Sequence, residues 1–335
     1  MNILVMMPQG PTRESFIPEW VVQKLAAIGT VQYNQGTEHY TKPELYEAIK
    51  DKDVCITGWG TARIDPEFLD AAPKLRMIAH TGGTVAPYVD EEVYRCGIKV
   101  ASGNAIYARS VAEGVLAYIL CSLRQLPRYN NMLHTGGWSG TSDINAGLFN
   151  KRVGIVGFGA IARNVLDFLR PFNVEILVNS GHLTQEDAAA LGVKKASLEE
   201  VFSGCDIISI HSAQRKENDK MVNDTLLSMI KPGGLFINTA RGSIVDEEAL
   251  IKHLKAGRFN AVLDVFSQEP LPVDSPLRGL DNAILIPHMA GPTIDLRPYV
   301  TSTLADDIVR FAAGEALVNE IPWSYAQHMT SGHST

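Results

Sequence analysis

Cysteine is scarce in this chain: four in 335 residues, at Cys55, Cys96, Cys121 and Cys205, with no C-x-x-C pair among them. That spacing argues against a zinc cage, and no other ligand spacing suggests a metal. Scattered cysteines in a chain of this length read as buried apolar residues of a protein kept in a reducing cytoplasm. Positive charge is short as well, with 30 Lys and Arg against 37 Asp and Glu and a formal net charge of -7. A nucleic-acid binder needs a basic face, so no nucleic-acid partner is expected. No uninterrupted apolar run reaches the ~18 residues that span a bilayer, so no membrane association is expected. The start, Met1 to Pro8, lacks the basic flank of a signal peptide and reads as a buried first strand. Internal repeats and low-complexity stretches are absent too, and the polar tail at 327–335 is expected to fray. With 45% hydrophobic and 20% charged residues the composition is that of a globular protein, which argues against disorder. What remains is a soluble protein that handles small molecules.

At roughly 150 residues per domain the length implies about two domains. The first hundred residues alternate strands, at 2–6, 30–33, 53–57 and 75–80, with helices at 18–28, 42–50 and 66–72. A long apolar helix is expected over 110–126, ending at Pro127; it reads as a core helix or as a linker that also serves a partner subunit. After a polar, glycine-rich segment at 135–150 a second alternating series begins. Its strands are expected at 153–156, 174–178, 207–210, 235–238, 260–265 and 283–286. Its helices are expected at 161–168, 198–203, 224–229 and 246–256, with a last long helix at 292–313. Strands alternating with helices make βαβ units, hence α/β architecture with doubly wound parallel sheets.

The most specific local signal is Gly157-Phe158-Gly159-Ala160-Ile161-Ala162, which fits G-x-G-x-x-G/A between a β-branched strand and a helix. Gly157 permits the tight turn, Gly159 leaves room for a pyrophosphate, and Ala162 lets helix and strand pack closely. Free N–H groups at the helix start, around Ala160 and Ile161, suit phosphate oxygens. Near the end of the next strand an NAD site expects a carboxylate. Glu175 opens that strand, and Ser180 stands near its tip, so the sequence leaves NAD or NADP open. His211, just after another strand, is a candidate cofactor contact.

Three later segments end strands, where doubly wound sheets bind ligands. They are Asn238-Thr239-Ala240-Arg241-Gly242, Leu263-Asp264-Val265-Phe266-Ser267-Gln268-Glu269-Pro270 and Pro287-His288-Met289-Ala290-Gly291. An Arg, an acid and a His converging on a dinucleotide crevice suit hydride transfer between 2-keto and 2-hydroxy acids. Arg241 offers a planar fork for the substrate carboxylate and carbonyl. His288 gives a proton to the carbonyl oxygen in reduction and takes it back in oxidation. Glu269 holds His288 and favours the imidazolium. Singly, each has a bland alternative: a surface ion pair, a core histidine, a solvated loop acid. Together behind a dinucleotide turn they make an active site.

In this ordered set the chain resembles the D-isomer-specific 2-hydroxyacid dehydrogenases, the group that includes phosphoglycerate, glycerate, hydroxypyruvate/glyoxylate and D-lactate dehydrogenases. Ser110-Val111-Ala112-Glu113, the fingerprint at Gly157 and the three segments above carry the likeness, over about 75–314. The resemblance implies an Arg241, Glu269, His288 triad, with Asp264 near the nicotinamide carboxamide and Thr239 and Ala240 beside the cofactor. It implies a Rossmann NAD(P) domain, 103–295, inserted into a flavodoxin-like substrate domain built from 1–102 and 296–335, usually in a homodimer. It also implies a glycine loop whose N–H groups take the substrate carboxylate; the matching residues are Gly82, Gly83 and Thr84, which as consecutive small residues suit an anion nest. After that loop stands Ala86-Pro87-Tyr88-Val89-Asp90, where many members carry Asp-Asn-Ile/Val-Asp. Substrate size is expected to depend on first-domain residues around Gln9-Gly10-Pro11 and Gly58-Trp59-Gly60. The competing reading is a dinucleotide-sensing, corepressor-like binding protein. A formate-type enzyme is disfavoured by Glu269, since those relatives pair the His with Gln.

Overall fold

Two parallel sheets organise the chain in the computed structural model, which describes residues 1–140 and 145–330. They fall in two units, one of Met1–Ala108 rejoined from Pro292 onward, the other of Arg109–Gly291.

In the first unit β1 (Asn2–Val5) leads through α1 (Pro11–Phe16) and α2 (Glu19–Ala26) to β2 (Thr30–Tyr33). Then α3 (Lys42–Ile49) precedes β3 (Val54–Thr57), α4 (Pro66–Ala71) precedes β4 (Met77–His80), and α5 (Glu91–Arg95) precedes β5 (Lys99–Ser102). The spatial order is β2-β1-β3-β4-β5, the flavodoxin order, which reverses direction between β1 and β3. Central β3 and β4 are buried at every residue, as strands covered on both faces must be. Local chemistry sets the helix starts: Thr41 and Glu44 form a capping box at α3, and Asp65 accepts the Phe68 N–H at α4.

The second unit contains most of α6 (Asn104–Leu123), followed by α7 (Leu126–His134). Then come β6 (Arg152–Val156), α8 (Ala160–Leu169), β7 (Glu175–Asn179), α9 (Gln185–Leu191), β8 (Lys194–Lys195) and α10 (Leu198–Gly204). The unit continues with β9 (Ile207–Ile210), α11 (Asp224–Met229), β10 (Leu235–Asn238), α12 (Glu247–Lys255), β11 (Asn260–Leu263) and β12 (Ala283–Leu285). Its order, β12-β11-β10-β9-β6-β7-β8, is the dinucleotide-binding arrangement with one added strand, and it reverses between β6 and β9. The last helices, α13 (Arg297–Ala312) and α14 (Trp323–Ala326), return to the first unit. There Val300, Leu304, Ala305 and Ile308 pack against Ile3, Val5 and Val54.

The strands match the sequence reading to within a residue or two. Short elements escaped it: α1, α5, α9, β5 and β8 offer too few residues to show a period. The long helix begins at Asn104, earlier than expected, and the chain does not stop at Pro127. Gln125 takes a left-handed conformation at φ 55°, and Pro127 sits in the first turn of the new helix α7, where its missing N–H costs nothing. The last long helix starts at Arg297 instead of 292. The tail is ordered to Thr330, with Trp323, Ala326 and Met329 packed in the first unit's core; positions 331–335 lie outside the described residues, as do 141–144 of the glycine-rich segment. By length and composition α6 is the one described helix that is apolar enough to cross a membrane, yet Arg109 and Glu113 interrupt it and Ala112, Val115 and Ile119 pack in the second unit's core.

Candidate active site

In the second unit the strand reversal between β6 and β9 opens the crevice into which the glycine turn projects. Gly157 has φ 90°, and a Cβ there would lie 2.6 Å from the Ser212 nitrogen, so only glycine fits between β6 and the chain leaving β9. Gly159 is the opposite case: a Cβ there meets nothing within 4 Å. The space beside Gly159 is open, and no side chain caps the ten-residue α8 that starts at Ala160 and Ile161. An open cradle at an uncapped helix start suits the two negative charges of a pyrophosphate. Ala162 is fully buried beneath it. The Thr239 hydroxyl, past the end of β10, is buried without a hydrogen-bond partner, as expected of a group that meets a ligand. These residues fit a dinucleotide.

Ser180 follows the tip of β7 and accepts the His182 N–H at 3.3 Å. Glu175 lies at the other end of that strand, paired with Arg152 and Lys194, and takes no part in the crevice. The His211 N–H donates to Val156 O at 2.7 Å, and its Nε2 lies 2.9 Å from the Ser209 hydroxyl. Burial pushes this imidazole down to about 4, so it is neutral near pH 7.

Past β10, Asn238 organises the turn: its Oδ1 accepts the Ala240 N–H at 3.0 Å and its Nδ2 donates to Arg241 O at 2.9 Å. Gly242 follows because a Cβ there would fall 1.9 Å from the Phe266 carbonyl carbon. That close approach brings the strand-end segments of β10 and β11 together. Arg241 donates through Nη1 to Ala240 O at 2.6 Å, while its Nε is buried without a partner. Burial lowers the guanidinium's pKa and the Glu269 carboxylate opposes that shift, so Arg241 and Glu269 feel one another.

His288 and Glu269 come together directly. The His288 Nδ1 lies 2.8 Å from Glu269 Oε2, and Glu269 Oε1 accepts the Phe266 N–H at 3.0 Å. Burial raises the Glu269 carboxyl, but the His288 and Phe266 hydrogen bonds and the nearby His288 and Arg241 charges outweigh it, leaving the pKa below the usual glutamate value. His288 holds φ 53°, a conformation uncommon outside glycine and a frequent mark of functional sites. Buried Asp264 holds it there. Its carbonyl accepts the His288 N–H at 2.9 Å, and its two carboxylate oxygens accept the Met289 and Ala290 N–H groups at 2.7 and 3.0 Å. Burial raises the Asp264 carboxyl despite these bonds. Sequence reasoning saw this acid only as a cofactor neighbour. Its grip on the histidine turn has no local signal, because donor and acceptor are far apart in the chain.

In the first unit Gly82, Gly83 and Thr84 follow β4. Among the described residues none of their three N–H groups has an acceptor. The Thr84 hydroxyl donates to Thr330 O at 2.9 Å, tying the loop to the chain's C-terminal segment. A Cβ on Gly82 would lie 2.3 Å from His80 Nε2, so the loop rests on a buried imidazole whose pKa burial pushes down to about 3.

Comparison with known proteins gives one consistent picture. The family model described as D-isomer specific 2-hydroxyacid dehydrogenase, NAD binding domain, matches residues 116–290. A glyoxylate reductase of Pyrococcus furiosus is 30% identical over 315 residues, covering 91% of this chain and 93% of that protein. One from Thermofilum pendens is 34% identical over 292 residues, covering 84% and 85%. A D-3-phosphoglycerate dehydrogenase of Mycobacterium bovis is 30% identical over 293 residues, 87% of this chain but 55% of that longer protein. The solved NADPH-dependent glyoxylate/hydroxypyruvate reductase of Sinorhizobium meliloti, in complex with citrate, shares the fold at TM-score 0.75 and 24% identity over 97% of this chain and 98% of that one.

Proposed function

This chain belongs to the D-isomer-specific 2-hydroxyacid dehydrogenase family, and from that premise we propose that it reduces a short 2-keto acid to the D-2-hydroxy acid, with Arg241, Glu269 and His288 as its catalytic residues. The observation that carries the residue assignment is the 2.8 Å contact between His288 and Glu269 at strand ends of a sheet with dinucleotide topology. Bound NADH or NADPH supplies the hydride. Gly157, Gly159, Ala160 and Ile161 would hold its pyrophosphate, and Ser180, His211, Thr239, Ala240 and Asp264 would contact the rest of it. No carboxylate stands at residues 179–182, so neither a 2′-hydroxyl nor a 2′-phosphate is excluded there, and the cofactor is NAD or NADP.

As negative charge grows on the carbonyl oxygen, the His288 imidazolium gives up its proton and the Arg241 guanidinium faces the same charge. Glu269 stabilises the imidazolium before transfer and keeps the ring oriented. Gly82, Gly83 and Thr84 of the first unit offer their N–H groups to the substrate carboxylate. The relatives' names favour glyoxylate, hydroxypyruvate or a phosphorylated three-carbon acid. Incubation with NADH or NADPH and a panel of 2-keto acids, followed at the reduced nicotinamide absorbance, tests the reading. Oxidation of the cofactor by at least one member supports it; folded protein that oxidises none overturns it.

We further place the protein in the cytoplasm as a homodimer. Apolar residues of α6 are incompletely covered within the chain, and Leu126, Leu133 and Trp138 beyond it are exposed, a surface suited to a second copy.

A further inference from the structure

The first unit carries a side-chain cluster that the reaction described above does not use. It lies beside the reversal point between β1 and β3, outside the carboxyl ends of the strands, where open α/β sheets take ligands. Phe16 comes from α1, after β1, and Trp59 follows β3; their rings meet edge to face at 5.3 Å. Trp59 meets Tyr107 in the same manner at 6.3 Å. Arg297, at the start of α13, holds its guanidinium 5.6 Å from the Phe16 ring centre and 5.5 Å from that of Trp59.

The polar atoms of this cluster are under-satisfied. Arg297 Nη1 donates to the Ser15 hydroxyl at 3.3 Å, and among the described residues no carboxylate lies within ion-pair distance of the guanidinium. Its Nε is buried without a partner, and so is the Tyr107 hydroxyl. Aromatic faces attract a guanidinium but do not replace a counter-ion, and enclosed donors left without acceptors are costly. The arrangement calls for an anion. Tyr107 also borders the glycine loop: a Cβ on Gly83 would lie 3.2 Å from its ring. One tyrosine thus connects the loop assigned to the substrate's carboxylate with the aromatic pair under Arg297, all within one unit.

We propose that Arg297, assisted by the Tyr107 hydroxyl, is the specificity determinant for a second anionic group on the substrate. The substrate is then a 2-keto acid with a distal carboxylate or phosphate. Its carboxylate beside the carbonyl sits at Gly82–Thr84 and its distal anion at Arg297, so the proposal rests on the 2-keto acid reading above. The guanidinium's fixed charge and fork of donors match either anion.

The test compares kcat/KM within pairs of equal carbon skeleton: 2-oxosuccinate against 2-oxobutyrate, 2-oxoglutarate against 2-oxopentanoate, and phosphohydroxypyruvate against hydroxypyruvate. We expect the wild type to favour the dianion of at least one pair by about tenfold or more, expressed in KM, and the preferred pair tells carboxylate from phosphate. Arg297→Met is expected to remove most of that preference, Arg297→Lys to restore part of it through charge alone, and Tyr107→Phe to weaken it by about threefold. A purely structural Arg297 would lower stability and slow both members alike, leaving the ratio unmoved. Reduction of the monoanions with no preference for any dianion, or a preference untouched in both Arg297→Lys and Tyr107→Phe, overturns this proposal and leaves the proposed reaction standing. Failure to reduce any member of any pair while glyoxylate is reduced overturns this proposal alone; failure with glyoxylate as well overturns the proposed reaction, and this inference falls with it.

Discussion

His288 and Glu269 meet at 2.8 Å, and on the proposed reading their removal separates chemistry from binding. His288→Ala removes the proposed proton donor, so kcat should fall by about 100-fold or more, while the NADH dissociation constant, measured by fluorescence titration, stays within about twofold. Arg241→Ala should lower kcat and raise KM for the keto acid together, because in the proposed role the guanidinium meets the substrate in the ground state as well as in the transition state. In Glu269→Gln the His288 ring loses the carboxylate that holds it at 2.8 Å, so kcat should fall by about tenfold or more with NADH binding unchanged; an unchanged kcat would refute the Glu269 role. The same carboxyl is linked to stability. Its pKa in the folded protein lies below the unfolded value of about 4.3, so its contribution is complete above that pH and is lost as pH falls through the folded value. Thermal melts should therefore show the Glu269→Gln deficit at pH 7 shrinking below about pH 4.

At the scale of elements, glycine positions with similar sequence surroundings do different work. A Cβ at Gly159 meets open space, so Gly159→Ala should melt within a degree or two of wild type yet bind NADH about tenfold more weakly. At Gly242 a Cβ would overlap the Phe266 main chain, so Gly242→Ala should cost about 2–4 kcal/mol in urea unfolding and displace the strand-end segments carrying Arg241 and Glu269. Apart from β5 and β8, the strands were legible because their buried apolar runs are bounded by turns, and the Gly157 turn was legible because its geometry needs particular residues in a row. The short α5 and α9 were not, since fewer than two turns of helix display no face. Pro127 misled because a proline that ends one helix is equally at home in the first turn of the next.

For the molecule as a whole, the return of the C-terminal segment closes the first unit. Buried Asp307 on α13 accepts the Val318 N–H at 2.7 Å and the Asn319 N–H and Nδ2 at 3.0 and 2.8 Å, and Glu320 then bridges to Ala101 of β5. Asp307→Ala leaves these donors without an acceptor, and we expect a loss of about 2–4 kcal/mol, read as protease cleavage beyond α13 at concentrations that spare the wild type. Composition, the alternation of strand and helix, the glycine turn and the order of the Arg, Glu and His segments follow from the sequence by itself, because each depends on neighbours a few residues apart. Tertiary structure alone decided that Asp264 grips the His288 turn, that Gly242 must yield to Phe266, and that Phe16, Trp59, Tyr107 and Arg297 meet. Those contacts join residues from distant parts of the chain, and only the packing of strands and helices brings such partners within reach.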